Sequence, residues 1–397
     1  MRKLLSYAVG AGLIWLILWS QSDSLEEKGE RRFRVLNKPA QEVVVGVSWP
    51  SQTNQDGMAD GLQLALDEIT SGHLAGAHSI RLVMRDDGFD REKARRIAME
   101  FANTPEMSAV IGFYDDDIAA KAIAIFEPSR LLSILVGANK TAMTAHGFKY
   151  VVRTILSSTK IARGLARFSE SRGYRKYAVI WEQEAFGNDL AHQYRVALDD
   201  FNLQTIPAPS IEVVYQWSYS RARADFRLPV NELKGTNADV IFLAGLEPTA
   251  GDFLRSAREV GLTTPIIGAF SDTPEMRARA GAAVEGAMFY TEYNVDSPSP
   301  ENQAFVLKFS TRYGRNPDIW AAQGYDALHI LAKAIKLTAS RNPLDLSYAV
   351  RYMDAWEGAN GRYKFTGQGE LEEKPIFMKQ YQRGVPVAVD MPPSPAP

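Results

Sequence analysis

Hydrophobic and polar positions follow two alternating patterns along most of the chain. Short apolar runs such as VVVGV at 43–47 are typical of buried strands. Each run is followed by a segment in which apolar residues recur three or four positions apart, as at Leu62, Leu66 and Ile69, and this spacing predicts an amphipathic helix. Because strands and helices alternate in this way, we expect a parallel sheet with helices on both faces. The strand-like runs of this first region lie at 43–47, 80–87, 108–112 and 131–137.

A second region repeats the pattern of the first. The segment VVRTILSS at 151–158 interrupts the alternation, which then starts again. A chain of 397 residues is also too long for one ordinary core. The predicted fold class is therefore α/β, with two Rossmann-like lobes that each contain a parallel sheet. The further strands are predicted at 177–181, 211–217, 238–245 and 263–270, and two later helices at 301–314 and 319–339.

The first residues predict a segment separate from this fold. A basic MRK start is followed by the uncharged stretch 4–19 and then by small residues at Ser20 and Ser22, as in a secretory signal. An apolar helix over 4–19 would rise only about 24 Å, less than the roughly 30 Å hydrocarbon core of a membrane. There is no A-x-A cleavage site, so an uncleaved anchor stays open. We expect residues 1–22 to be an apolar helix that serves as a signal peptide or membrane anchor, and the remaining chain to be periplasmic or otherwise extracytoplasmic.

Composition and motifs exclude several classes of function. The formal net charge of −2 provides no basic field for nucleic acid. The absence of cysteine excludes disulfides, thiol nucleophiles and a lipid-modified N-terminal cysteine. The five histidines form no H-E-x-x-H motif, and there is no G-x-S-x-G elbow, Walker loop or G-x-G-x-x-G after a strand. We therefore expect no enzyme, no catalytic residue, no metal site and no cofactor.

The loops at the carboxyl ends of the predicted strands are the expected binding region, because ligands of open α/β sheets bind there. These loops provide aromatic side chains together with a few polar ones, which suits a small polar ligand with an apolar portion. Structural explanations stay open as well: Asp115–Asp117 can cap a helix, Glu247 can be solvated and Trp49 can be packing. The predicted ligand-binding residues are Trp49, Tyr114, Asp115, Asn139, Thr141, Phe186, Glu247, Ser271 and Asp272.

The order and spacing of several segments resemble a known family. The segments include VVVGVSWPSQ, LLSILVGANKTAMT, YAVIWEQEAFGNDLA and WEGANGRYKFTGQGE. From about Val43 to about Val387 the chain resembles the type I periplasmic binding proteins, specifically the leucine/isoleucine/valine-binding branch that serves ABC importers. This resemblance implies two lobes joined by a three-crossing hinge, with crossings near 153–158, 286–290 and 356–363. It implies a first lobe of 43–153 plus 290–355 and a second lobe of 157–286 plus 360–388, and the Pro-rich residues 389–397 are expected to be a loose tail.

The resemblance also implies a function. A small solute, for which an amino acid is the leading expectation, would bind between the lobes of a monomer, which close on it and present it to a membrane permease. Asn139 and Thr141 lie in the loop that holds the ammonium and carboxylate groups in the family, and Phe186 occupies an aromatic position of the second lobe. Ser271 and Asp272 lie on a loop that often carries an acidic group for the ammonium. Trp49 is expected to point into the cleft.

One turn departs from the family pattern. Amino-acid binders carry a Ser/Thr-rich turn after the third strand for the α-carboxylate, whereas this chain reads FYDDDIA at 113–119. Three carboxylates facing an anion would repel it in a poorly solvated cleft. Either these aspartates cap the helix and point away, or the ligand is an amide, a urea-like molecule or a polyamine. A membrane-tethered sensor or scaffold with the same fold is a further alternative.

Overall fold

The computed structural model describes residues 24–51, 56–204, 210–270, 272–372 and 374–392. The predicted apolar helix at 1–22 lies outside these residues, as does most of the predicted Pro-rich tail. Among the helices that the structure describes, none is long and apolar enough to span a membrane.

The first lobe is built on a five-stranded parallel sheet with the order β2-β1-β3-β4-β5. The central strands are buried along almost their whole length, as expected of strands covered by helices on both faces. The strands are β1 (Glu42–Trp49), β2 (Ser79–Asp86), β3 (Met107–Gly112), β4 (Leu132–Leu135) and β5 (Val151–Arg153). The helices of this part of the chain are α1 (Leu25–Leu36), α2 (Met58–Ser71), α3 (Arg91–Ala102), α4 (Asp116–Phe126) and α5 (Ala142–Ala145).

The second lobe is built on a seven-stranded sheet with the order β14-β13-β10-β9-β8-β6-β7, parallel from β7 to β10 and antiparallel at β13 and β14. Its strands are β6 (Lys176–Glu182), β7 (Glu212–Tyr219), β8 (Val240–Ala244), β9 (Ile266–Gly268), β10 (Met288–Thr291), β13 (Phe377–Gln382) and β14 (Val385–Val389). Its helices are α6 (Ser158–Ser171), α7 (Ala185–Gln204), α8 (Arg227–Gly235), α9 (Thr249–Glu259) and α10 (Pro274–Ala280).

Three later helices and a small hairpin complete the fold. They are α11 (Pro300–Tyr313), α12 (Ile319–Thr338), α13 (Pro343–Tyr352), β11 (Trp356–Gly358) and β12 (Gly361–Tyr363). Helix α12 packs tightly on α2, because Gly61 has no side chain and its backbone comes close to the carbonyl of Ala321. The two-lobed α/β fold predicted from the sequence is therefore confirmed, and Gly61 within α2 serves helix packing.

Helix α1 was not expected from the polar sequence that forms it. Ser24 and Glu27 make a capping box at its start, which satisfies free amides of the first turn. Arg32 is fully buried and donates to the carbonyls of Phe101, Ala102 and Met107, each at 3.0 Å. The buried guanidinium of Arg32 therefore helps to dock this helix on the first lobe, a role that hydrophobic periodicity does not reveal.

The lobe boundaries expected from the sequence stay a prediction. The chain leaves the first sheet after β5 and enters α6 at Ser158, close to the expected first crossing. Strand β10 pairs with β9 and β13 up to Thr291, and the chain then continues toward α11. After β12, Gly369 still contacts the first lobe by accepting from the amide of Arg153 at 2.8 Å, whereas the carbonyls of Leu371 and Glu372 accept from Lys160 on α6, before β13 joins the second sheet.

Candidate ligand-binding site

The two lobes meet at loops that follow the carboxyl ends of their strands. Asp189 on α7 contacts the loop after β4, and Glu184 just before α7 contacts Arg91 at the start of α3. Between these contacts lies an interlobe cavity of about 500 Å³. Its lining is charged on both sides and includes Arg91, Asp117, Lys140, Glu184, Asp189 and His192.

An aromatic cluster supports the first-lobe wall of this region. The ring of Tyr114 lies 5.4 Å from Trp49, 5.0 Å from Trp320 and 5.2 Å from Phe89, measured between ring centroids. Trp49 is only 1% exposed, and its indole nitrogen donates to Asp56 at 2.9 Å. Burial raises the pKa of this Asp56 carboxyl to about 6. In this structure Trp49 therefore packs against Tyr114. Its other aromatic partner, Trp320, follows no strand, so position after a strand could not reveal it.

The three aspartates of the first-lobe turn have three different partners. Asp115 caps α4 by accepting from the amide of Ile118 at 2.9 Å. Asp116 is 5% exposed and accepts from the amide of Lys140 at 2.9 Å, and burial raises its pKa to about 7. Asp117 pairs with Arg91 at 2.6 Å. The capping interpretation that the sequence left open therefore describes Asp115, and the other two carboxylates organise neighbouring loops.

Asn139 and Thr141 are tied to other parts of the protein. The side-chain amide of Asn139 donates to the carbonyl of Leu156 at 2.7 Å, in the first crossing between the lobes. Thr141 donates to one oxygen of Asp189 from both its amide, at 2.9 Å, and its hydroxyl, at 3.2 Å. A carboxylate of the second lobe therefore occupies the donors of Thr141, which the family resemblance assigns to a ligand.

The second-lobe residues predicted for the site are only partly brought together. Phe186 is half-buried at the start of α7. Burial raises the pKa of the Tyr114 and Tyr290 phenols, and the nearby charge of Glu247 raises it further by a smaller amount. Asp272 is held within its own lobe by Arg277 and by the hydroxyl of Tyr381. Ser271 lies outside the described residues.

A buried polar network joins the crossings between the lobes, and the sequence did not reveal it. Asp326 on α12 accepts from the amides of Ala359 (2.8 Å) and Asn360 (2.7 Å) and from the hydroxyl of Tyr363 (2.9 Å). Glu292, just after β10, accepts from the amide of Leu156 in the first crossing at 2.8 Å. We call these residues together with Lys374 the hinge network.

Lys374 provides the cation of the hinge network. Its ammonium lies 4.4 Å from the centroid of the Tyr363 ring and, in the amide orientation of Asn360 that satisfies both groups, 2.8 Å from the oxygen of that amide. Burial lowers the pKa of Lys374, and the charges of Glu292 and Asp326 oppose that effect. The network therefore links segments of all three crossings through buried charged groups.

The described residues contain no cluster of three or more His, Cys, Asp or Glu side chains that could hold a metal ion.

The arrangement of two lobes around a charged and aromatic interlobe region, with a hinge of three crossings, defines a two-lobed receptor for a small solute. The chain belongs to the periplasmic binding protein family, whose family model, described as a periplasmic binding protein, matches residues 43–384.

Named relatives and solved structures agree with this membership. The leucine-, isoleucine-, valine-, threonine-, and alanine-binding protein of Pseudomonas aeruginosa is 24% identical over 328 residues, which is 82% of this chain and 85% of that protein. The leucine-specific-binding protein of Salmonella typhimurium is 26% identical over 335 residues, 83% of this chain and 87% of that protein. The structure of an ABC transporter substrate-binding protein from Desulfitobacterium hafniense in complex with Leu is 27% identical, with a TM-score of 0.77, and covers 88% of this chain and 100% of that one.

Proposed function

We propose that this protein is the extracytoplasmic solute-binding protein of an ABC importer and that it binds an amino acid between its two lobes. The observation that carries the proposal is the meeting of strand-end loops from both lobes around the region of Tyr114 and Asp189. Support comes from the relatives, whose names specify leucine and other amino acids, and from the related structure in complex with Leu.

The proposed mechanism is binding followed by closure. The hinge network keeps the three crossings together while the lobes separate to admit the solute. The contacts of Thr141 with Asp189 and of Arg91 with Glu184 then join the lobes in the closed form. A membrane permease would receive the solute from this form. The protein is proposed to act as a monomer without catalysing a reaction.

The alternatives left by the sequence are less well supported. A tethered sensor or scaffold, and a receptor for an amide, a urea-like molecule or a polyamine, would have to differ in function from the amino-acid-binding relatives. The acidic turn that motivated these ligands also has an ordinary explanation, because Asp115 caps a helix and Asp117 pairs with Arg91.

Calorimetric titration and thermal unfolding of residues 24–397 would test the proposal. The panel contains leucine, isoleucine, valine, threonine and alanine, with urea, putrescine and glucose as controls. A ligand that binds only the native state stabilises it by about 2.7 kcal/mol at a hundredfold excess over Kd. Binding of at least one amino acid and of no control is expected. Binding of urea or putrescine alone would contradict the proposal.

A further inference from the structure

On the first-lobe side of the cleft, the donors of Thr141 that a ligand carboxylate would use are already engaged. Thr141 directs its amide and hydroxyl to Asp189. The turn before α4 presents the carboxylates of Asp115 and Asp116, the second of which is buried with one oxygen that has no hydrogen-bond partner among the described residues. A ligand carboxylate beside them would meet like charge in a poorly solvated region. It therefore needs a cationic partner from elsewhere in the cleft.

Arg221 in the second lobe has the geometry of such a partner. It begins a short 3₁₀ turn after β7, and its Nε and Nη2 atoms donate to one oxygen of Glu182 at 2.9 and 2.6 Å. Glu182 is 2% exposed, and its other oxygen accepts from the hydroxyl of Thr249 at 2.9 Å. The guanidinium is thus fixed on one edge, yet the Arg221 side chain is 44% exposed, and its Nη1 makes no hydrogen bond to a described residue.

Arg221 is bound to the end of β6 that lies next to the interlobe cavity. Glu182 ends β6, and the next residues, Gln183 and Glu184, line the interlobe cavity. Glu184 accepts from Arg91 of the first lobe at 3.4 Å. The charge of Arg221 also lowers the pKa of Tyr114, against the larger effect of burial. These observations put the guanidinium at the end of the second lobe that carries the interlobe contacts, within electrostatic range of Tyr114.

We infer that Arg221 is the anchor for the ligand's α-carboxylate, so that the second lobe performs the role given to a hydroxyl-rich first-lobe turn in the family. The inference rests on the proposed function. A guanidinium held on one edge by a buried carboxylate keeps donors free for a second carboxylate, with little loss of side-chain freedom on binding. The Arg221–Glu182 pair is then a device for orienting the guanidinium, with Glu182 as a positioning residue.

The test compares an amino acid with its own amide, which lacks the carboxylate. The tightest-binding member of the panel, for example leucine, is titrated against leucinamide with wild-type protein and with Arg221→Gln, Arg221→Lys, Arg223→Gln and Lys140→Gln. Arg223 lies in the same exposed turn and provides the matched charge control. Lys140→Gln tests a cation that lines the interlobe cavity. Because Arg221→Gln leaves Glu182 buried without its cation, the double variant Glu182→Gln/Arg221→Gln is included to keep the fold.

The expected result is a loss of carboxylate recognition. Wild type should prefer the amino acid over the amide, and Arg221→Gln should weaken amino-acid binding by about 10- to 100-fold while changing amide binding little. The amino-acid affinity of Arg221→Lys should lie between those of wild type and Arg221→Gln. Arg223→Gln should match wild type in the affinity for both ligands. Equal loss for amino acid and amide, or loss of the preference in Lys140→Gln alone, would overturn this inference while leaving the proposed function intact. Failure of wild type to bind any amino acid would overturn the proposed function and this inference with it.

Discussion

The lobes meet in two regions of different character. In the hinge network, Asp326 and Glu292 are buried and accept from backbone amides, and the half-buried Lys374 provides their counter-charge. At the mouth of the cleft, by contrast, Arg91 and Glu184 are each nearly half exposed, at 49% and 46%, and lie 3.4 Å apart. We call this pair and the Thr141–Asp189 hydrogen bonds the mouth contacts.

The difference indicates which contacts can break during opening. Removing one partner from a buried charged network leaves the others without compensation and is costly, whereas exposed ion pairs contribute little. Opening at the mouth while the hinge network stays intact therefore costs less free energy than breaking the hinge network. The same argument predicts that substitutions in the hinge network affect folding, and that substitutions at the mouth affect closure.

The largest effect is expected from Asp326→Ala. The substitution leaves the amides of Ala359 and Asn360 without their acceptor and Lys374 without one of its counter-charges. We expect a loss of about 3–5 kcal/mol in the free energy of unfolding, measured by urea denaturation at pH 8. Asp296→Ala, at an exposed position after the second crossing, is the control and should change stability by less than about 0.5 kcal/mol. A similar small change for Asp326→Ala would remove the distinction between hinge and mouth.

A pH effect of intermediate size on the free energy of unfolding is expected from His329, which lies beside the third crossing. His329 on α12 packs between Tyr325 and Trp356, and burial lowers its pKa to about 4. Since the unfolded chain binds this proton at a pKa near 6.5, proton binding by His329 does not change stability above that pH. Stability is then lost progressively as pH falls from 6.5 to 4, by up to about 3 kcal/mol.

The pH effect is measured by comparing urea denaturation of wild type and His329→Gln at pH 7.5 and pH 4.5. Wild type should lose more stability between these values than the variant does. Carboxylates distant from His329 contribute equally to both proteins, so the difference reports the imidazole together with its neighbour Glu68, whose carboxylate lies 3.9 Å away. An equal loss in the two proteins would show that His329 takes up its proton in the folded state as easily as in the unfolded state.

Most of the fold could be predicted from the sequence, because the strands of parallel sheets are continuous apolar runs. VVVGV, SAVIG and ADVIFLAG all lie in strands close to their expected bounds. Helix α1 escaped prediction because a buried arginine and a capping box dock and start it, and neither produces an apolar periodicity. Helix α13 could have been found, since Asn342 caps it and Pro343 occupies its first turn.

The candidate site was less predictable, because position after a strand does not fix the direction of a side chain. Asp115, Asp116 and Asp117 are consecutive and have three different partners. Arg221 and Trp320 gave no signal, since their roles depend on partners far away in sequence, Glu182 and Trp49. The ligand contacts of the predicted residues therefore stay a prediction, to be tested by titration.

A smaller effect, on affinity, is expected from Asp189→Ala. This change removes the acceptor for the amide and hydroxyl of Thr141 and so weakens the closed form. Amino-acid affinity should fall by about five- to tenfold, with a change in stability within about 1 kcal/mol. Asp199→Ala, exposed on the same helix α7, should match wild type in both measurements. Tighter binding in Asp189→Ala would instead mean that Asp189 competes with the ligand for Thr141.

The smallest effect is expected at the Arg91–Glu184 pair. Both side chains are solvated and Arg91 also pairs with Asp117, so each partner keeps alternatives when the other is removed. A double-mutant cycle of Arg91→Gln and Glu184→Gln, read from ligand affinity at 0.15 M salt, should give a coupling of about 0.5 kcal/mol or less. The Arg91–Asp117 cycle lies within one lobe and should give no coupling in affinity. Coupling above about 1 kcal/mol for Arg91 and Glu184 would mean that breaking this mouth contact is costly. The proposed distinction between mouth and hinge would then be wrong for this pair.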